Sequence, residues 1–330
     1  MIKKTWIYLI AATVLLTITA LLVFCKRDTI ESSPIPIKRY EIELMQIDTT
    51  RVGDELRRLY SEGFKFLLDG IDLDDEDVHQ HFFDFATDTL SKALLDAVLE
   101  KYPNLDHFEE ILGKSFALYD RLFEREGRTP DIFTYLSKMD YHNRVIFQDS
   151  VLAIGIDVYL GADFSYYDFI ALPMYLRERL ESRFLPIDAM RAVIHYELER
   201  EPQPLQTLLD HMILNGKVAY FLEKTLPNVD MATRFGYTAE QMAWCRANEQ
   251  MIWSYLVGEK LLYEQDSFKY RNFVLESPTV QIFPGSPGRI GHFLGYQIVR
   301  RYMRNTRQTF PELLAERDSQ KILRASNYRP

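Results

Sequence analysis

VLAIGIDVY, residues Val151–Tyr159, is apolar throughout except at Gly155 and Asp157. A run this short and this continuous suits a strand covered on both faces, as at the centre of a sheet. Two neighbours share its character. Ile132–Leu136 and Arg144–Phe147 are short and rich in β-branched and aromatic residues, so they read as further strands. Helical spacing surrounds them. Before the strands, Thr50–Leu68 places Val52, Leu56, Leu59, Tyr60, Gly63, Phe64 and Leu67 near one face, and Phe82–Glu100 and Asp106–Arg125 follow, parted by Pro103. Asp106 with Glu109 reads as an N-terminal cap. After the strands come Pro173–Phe184, Ile187–Arg200, Leu205–Thr225 and Thr238–Tyr263, the last with Thr238 as N-cap and Gln241 at the capping-box position. Ser286-Pro287-Gly288 opens a helix to about Arg304, and Glu312–Arg324 ends the chain. The expected fold is α+β, mostly helical with a small central β-sheet, and without internal repeats.

The N-terminus has a different character. Lys3 and Lys4 precede Trp6–Phe24, a run without one charge, and Cys25, Lys26 and Arg27 follow. A basic start and an apolar run are the layout of an export signal. The run also approaches the roughly 20 residues that span a bilayer. Two outcomes stay open: a retained transmembrane helix, or cleavage before Cys25 with lipidation of its thiol. Leu22 and Val23 suit a lipoprotein box and Phe24 does not. Lys26 and Arg27 blur the charge asymmetry that would set orientation. The expected organisation is a signal or anchor segment over 1–25, a polar Pro-containing linker over 26–36, and a single domain over 37–330.

The whole chain carries a net charge of −9. Setting aside Lys3 and Lys4 leaves 37 basic against 48 acidic residues, a net −11 for the remainder. An acidic domain argues against nucleic acid and anionic headgroups as partners. With Cys25 committed to the anchor, Cys245 has no disulfide partner and reads as a buried thiol.

Candidate chemistry is sparse. The loop IDLDDEDVHQH carries Asp72, Asp74, Asp75, Glu76, Asp77, His79 and His81, but not at EF-hand offsets. The reading favoured is a solvated loop whose acids support the next helix N-terminus. A zinc peptidase needs two His four residues apart on one helix face, and none of the seven His are so spaced. No metal or cofactor is therefore expected. The nearest echo is His195-Tyr196-Glu197-Leu198-Glu199, with Tyr where the base belongs. Gly288, Gly291 and Gly295 suggest close helix packing rather than a dinucleotide fingerprint. Trp244, Asn248, Glu249 and Trp253 follow helical spacing, with two polar members in a stretch fit for burial. Asn215-Gly216-Lys217 reads as a kink in its helix or as a functional rim.

Several stretches together resemble the gliding-motility lipoprotein GldB family of Bacteroidetes-type bacteria. They are Arg39–Leu44, Leu208–Ile213 with Asn215-Gly216-Lys217, Gly236–Gln241, Asn248–Trp253, Ser286–Gly291 and Gln320–Pro330. The resemblance implies a lipid-anchored envelope protein needed for gliding and the associated secretion system, and it favours Cys25 as the lipidated residue. The order of elements also looks like that of HExxH zinc peptidases, which carry Glu-Gly where this chain has Asn215-Gly216. The resemblance thus implies a zincin-like scaffold lacking HExxH.

The reading that follows is a non-catalytic envelope protein. It is anchored by lipid or helix, holds its domain on the periplasmic side, and binds other motility and secretion proteins. The alternative is a hydrolase acting on peptide or cell-wall material, with a degenerate cleft at His195, Asn215 and Glu249. A sugar- or ligand-binding role would rest only on the 20 Tyr and 3 Trp, which a core explains equally.

Overall fold

In the computed structural model, which describes residues 32–330 apart from 128, 201, 203 and 204, VLAIG is one of the two interior strands of a four-stranded sheet. The strands are β1 (Ile37–Arg39), β2 (Asp131–Tyr135), β3 (Val145–Gln148) and β4 (Val151–Gly155). Their order is β1-β2-β4-β3, with β1, β2 and β4 parallel and β3 antiparallel to β4. Asp149 and Ser150, both at positive φ, form the tight turn between β3 and β4. The sheet divides two cores. Ile132, Leu152 and Ile154 face a large helical core. Phe133 and Ala153, paired across β2 and β4, face a smaller one built from Tyr40, Leu44, Leu56, Leu59 and Phe64. Burial on both faces is why the stretch is apolar without alternation.

The expected third strand stops at Gly155. Ile156–Tyr159 turns into a 3₁₀ helix because Asp157 faces the preceding loop. Its carboxylate accepts from Ser137 N at 2.8 Å, Ser137 Oγ at 3.0 Å and Met139 N at 2.7 Å. β1 was not expected. It has only three residues, and its Ile37 N donates to Glu109 Oε1 at 2.9 Å. Glu109 therefore does not serve the cap expected of Asp106. The N-cap there is Leu105, with no side-chain bond.

The helices around the large core are α1 (Asp106–Leu122), α2 (Leu185–Arg200), α3 (Leu208–Thr225), α4 (Ile290–Thr306) and α5 (Ser319–Ser326). α3 starts with a capping box in which Thr207 and Asp210 bond each other's backbone. Thr238 and Gln241 form the expected box at the start of Ala239–Ala247.

Several long helices expected from spacing are interrupted. Thr50–Leu68 becomes Val52–Ser61 and Lys65–Leu68, parted at Gly63, whose φ is +102°. Phe82–Glu100 falls within Glu76–Thr87 and Thr89–Lys101, where Asp88 caps the second helix. Pro173–Phe184 holds only short turns at Met174–Arg177 and Ser182–Phe184. Thr238–Tyr263 breaks at Asn248, whose side chain bonds Trp244 O at 2.8 Å. Glu312–Arg324 is Phe310–Ala315 followed by α5. α4 begins at Ile290, not at Ser286.

The tightest packing is α3 against α4. A Cβ on Gly216 would lie 2.9 Å from Tyr296 N, and one on Gly295 would lie 2.5 Å from Met212 C. The helix packing expected of the Gly288–Gly295 series is observed at Gly295, whereas Gly288 lies before α4, where a Cβ would lie 2.8 Å from Ser277 Oγ. Asn215-Gly216-Lys217 is neither kink nor rim, since α3 runs through it unbroken and Gly216 marks the crossing.

Pro34–Pro330 forms one compact unit. Within the expected linker, Ile35 is buried and donates its N–H to Glu109 O at 3.2 Å. Cys25 and the apolar run before it lie outside the described residues. Among the described residues no helix is long and apolar enough to cross a membrane.

Candidate functional site

Charged side chains gather where α2 meets the first turn of α4. α2 buries most of its length, and Asp188 and Arg191, three residues apart, are buried or half-buried within it. Asp188 Oδ2 accepts from Arg144 Nε at 2.9 Å and from Tyr159 OH at 3.0 Å, while Oδ1 lies 4.0 Å from Arg191 Nε. Burial acts to raise the Asp188 carboxyl, but Arg144, then Arg191 and Arg179, outweigh it and hold it below the usual carboxylate range. Buried charge without a partner is expensive, so this arrangement is built around the pair.

A second carboxylate lies on the other side. Glu276, from the segment before α4, sits between Arg179 Nη1 at 2.6 Å and Arg289 Nε at 3.4 Å. Arg289 occupies the N-cap of α4 with φ +56°, and its Nη2 donates to Phe235 O at 3.1 Å. Gly236, at φ +67°, lets the chain pass Arg179, since a Cβ there would lie 2.9 Å from Arg179 Nε. Tyr237 OH donates to Gly288 O at 2.6 Å and closes the wall. Burial lowers the Arg191 guanidinium to about 10, opposed by Asp188 and aided by the like charges of Arg179, Arg289 and Arg144. It remains protonated at neutral pH. Arg191 Nε is buried without a hydrogen-bond partner.

The residues singled out from sequence are placed differently. His195 is on α2, one turn past Arg191, and is more than a third exposed. The dense protein on its inner side and then the Arg191 charge push its imidazole down to about 4, and solvent at the exposed edge offsets part of that push. Asn215 donates to His211 O of its own helix at 2.8 Å. Glu249 accepts from Tyr328 OH at 2.7 Å and from Gln297 Nε2 at 3.2 Å, tying the C-terminal tail to α4. No hydrogen bond, ion pair or ring contact joins any two of the three.

Among the described residues no group of three His, Cys, Asp or Glu could hold a metal ion. In the acidic loop, Asp75 caps the next helix through Asp77 N, and Asp74 pairs with Arg57. Cys245 is buried, and burial pushes its thiol up to about 12.

The arginine cluster was not read from sequence. Its one signal was charge inside apolar surroundings: Asp188 and Arg191 within LPIDAMRAVI, and Arg289 within the glycine series.

The family model for gliding motility protein GldB matches residues 26–330, nearly the whole chain. The chain belongs to the GldB family. Membership implies a gliding-motility lipoprotein associated with the cell envelope. No curated protein and no solved structure matches this GldB-family chain.

Proposed function

We propose that this GldB-family protein is lipidated at Cys25, holds its domain on the periplasmic side, and supports gliding and the associated secretion by binding other envelope proteins rather than by catalysis. One surface feature supports the binding reading. In the segment between the 3₁₀ turn at Ser165–Asp168 and Met174, Phe169 is 83% exposed and Ile170 and Met174 also reach solvent. Adjacent large apolar side chains left in water mark contact surfaces more often than isolated ones do. The segment is also held in shape. Arg177 donates to Leu172 O at 2.6 Å, Asp168 Oδ1 at 2.6 Å and Tyr167 O at 3.2 Å. A fixed presentation lowers the ordering cost of binding.

The test is complementation of a strain lacking the gene with Phe169→Ser/Ile170→Ser. The expected result is loss of gliding at normal protein level and anchoring, together with loss of photo-crosslinks from Met174 to gliding-apparatus proteins. Full gliding by the double variant overturns the assignment of this surface. Mass spectrometry of the mature N-terminus tests the anchor. Cys25 should carry acyl chains, and an unmodified Cys25 would make the segment a plain transmembrane helix.

A further inference from the structure

The narrow cleft beside Arg289, about 30 Å³, is lined by Arg179, Arg289, Glu276, Ser277, Tyr237 and Gly288 among others. The Arg179 and Arg289 side chains are 11% and 9% exposed, so both are largely buried. Each carries about five N–H donors. Within the protein their hydrogen bonds run from Arg179 Nη1 to Glu276 and from Arg289 Nη2 to Phe235 O. Asp188 is engaged by Arg144 and lies beside Arg191, so Glu276 is the carboxylate the other two share. Glu276 itself is 43% exposed at the side chain and reaches inward from the segment before α4. Ser277 Oγ, in the same lining, is buried without a hydrogen-bond partner. Glu178, at the exposed rim, is the other acid of the cleft.

Four arginines against Asp188, Glu276 and the rim acid Glu178 leave this cluster short of negative charge. The Glu276 carboxylate spans the two with one oxygen each and so engages only part of either guanidinium's set of N–H donors. A tetrahedral oxyanion has acceptors enough for both forks and the serine. We propose that this cleft binds a phosphate-type oxyanion, which replaces the Glu276 carboxylate across Arg179 and Arg289 and accepts from Ser277 Oγ. The cleft is small, so it admits the head group alone and whatever carries the phosphate stays outside. Glu276 is then an internal competitor that holds the forks in place when the site is free.

The test is titration calorimetry of the full chain with inorganic phosphate at constant ionic strength. The wild type should bind weakly. Glu276→Gln should bind about tenfold tighter or more, because a like charge facing the incoming anion is removed. Arg179→Gln/Glu276→Gln should lose the binding, and Arg289 then keeps its hydrogen bond to Phe235 O. Failure of Glu276→Gln to bind phosphate overturns the proposal, as does phosphate binding that survives in the double variant. Co-sedimentation with phosphatidylcholine vesicles, with and without phosphatidic acid, then separates the sources. Retention on phosphatidic acid that requires Arg179 assigns the phosphate to a lipid headgroup. Calorimetric binding without vesicle retention assigns it to a soluble phosphate ester.

Discussion

Gly295 is the position where one methyl group should do the most damage. A Cβ there would lie 2.5 Å from Met212 C and 3.1 Å from Met212 Cα, nearer still to the Met212 carbonyl oxygen, whereas ordinary contact begins near 3.4 Å. The shortfall is at least about 0.9 Å against backbone, which no side-chain rotation relieves. α3 and α4 would have to part by about an ångström, opening contacts around Phe293, Leu294, Ile298 and Val299, all fully buried. Overpacking of this kind costs about 1–3 kcal/mol, and a rigid clash belongs at the upper end. Alanine recovers about 1 kcal/mol through its better helix propensity. The net expectation for Gly295→Ala is a loss of about 2 kcal/mol, or a Tm lower by about 4 °C in a domain of this size. Gly258 provides the control. It ends the helix Glu249–Gly258, and an added Cβ meets nothing within 4 Å. Gly258→Ala should be neutral or stabilise by up to about 1 kcal/mol. Scanning calorimetry on both variants decides the matter. A Tm unchanged or raised in Gly295→Ala, or lowered equally in both, would refute the argument from backbone proximity.

Lys217 is fully buried in α3 and its ammonium donates to Glu316 O at 2.7 Å. Burial lowers its pKa to about 7, with Glu316 pulling the other way. The unfolded chain then binds more protons than the folded one between about 7 and 10.5, so this residue should make stability rise with pH across that window, by up to about 4–5 kcal/mol in total. Urea melts from pH 7 to 9 should show the slope, and Lys217→Met should abolish it. Tyr328→Phe removes a hydrogen bond to the Glu249 carboxylate and should cost about 2 kcal/mol in the same melts while leaving the Phe169 surface intact. A loss below about 0.5 kcal/mol would show that the tail is not fastened there. His195→Ala should leave gliding unchanged, and metal analysis of the purified chain should find no stoichiometric zinc. One zinc per chain, or gliding lost with normal folding, would return the hydrolase reading.

Local signals decided much of this protein from sequence alone. The unbroken apolar run at Val151 marked an interior strand because both sheet faces are covered, and the capping boxes at Thr207 and Thr238 show how side chain and backbone three residues apart define a helix start. Of these, Thr238 was legible and Thr207 was passed over by three residues. The spacing of Gly288, Gly291 and Gly295 announced close packing. Family membership was legible too, because it depends on residues in order and not on contacts.

What only the tertiary structure decided depends on residues far apart in the chain. β1 is three residues long and exists because Asp131–Tyr135 and Glu109 accept it. Gly216 looked like a kink because its reason, Gly295, lies 79 positions away. His195 stood out as an echo of HExxH, Asn215 as the place of a peptidase Glu-Gly pair and Glu249 as a polar residue in an apolar stretch, and the fold gives each its own separate environment. The criterion that marked Glu249, applied to Asp188, Arg191 and Arg289, would have found the cluster. Sequence could not rank them, since the free energy of a buried charge depends on which charges the fold brings beside it.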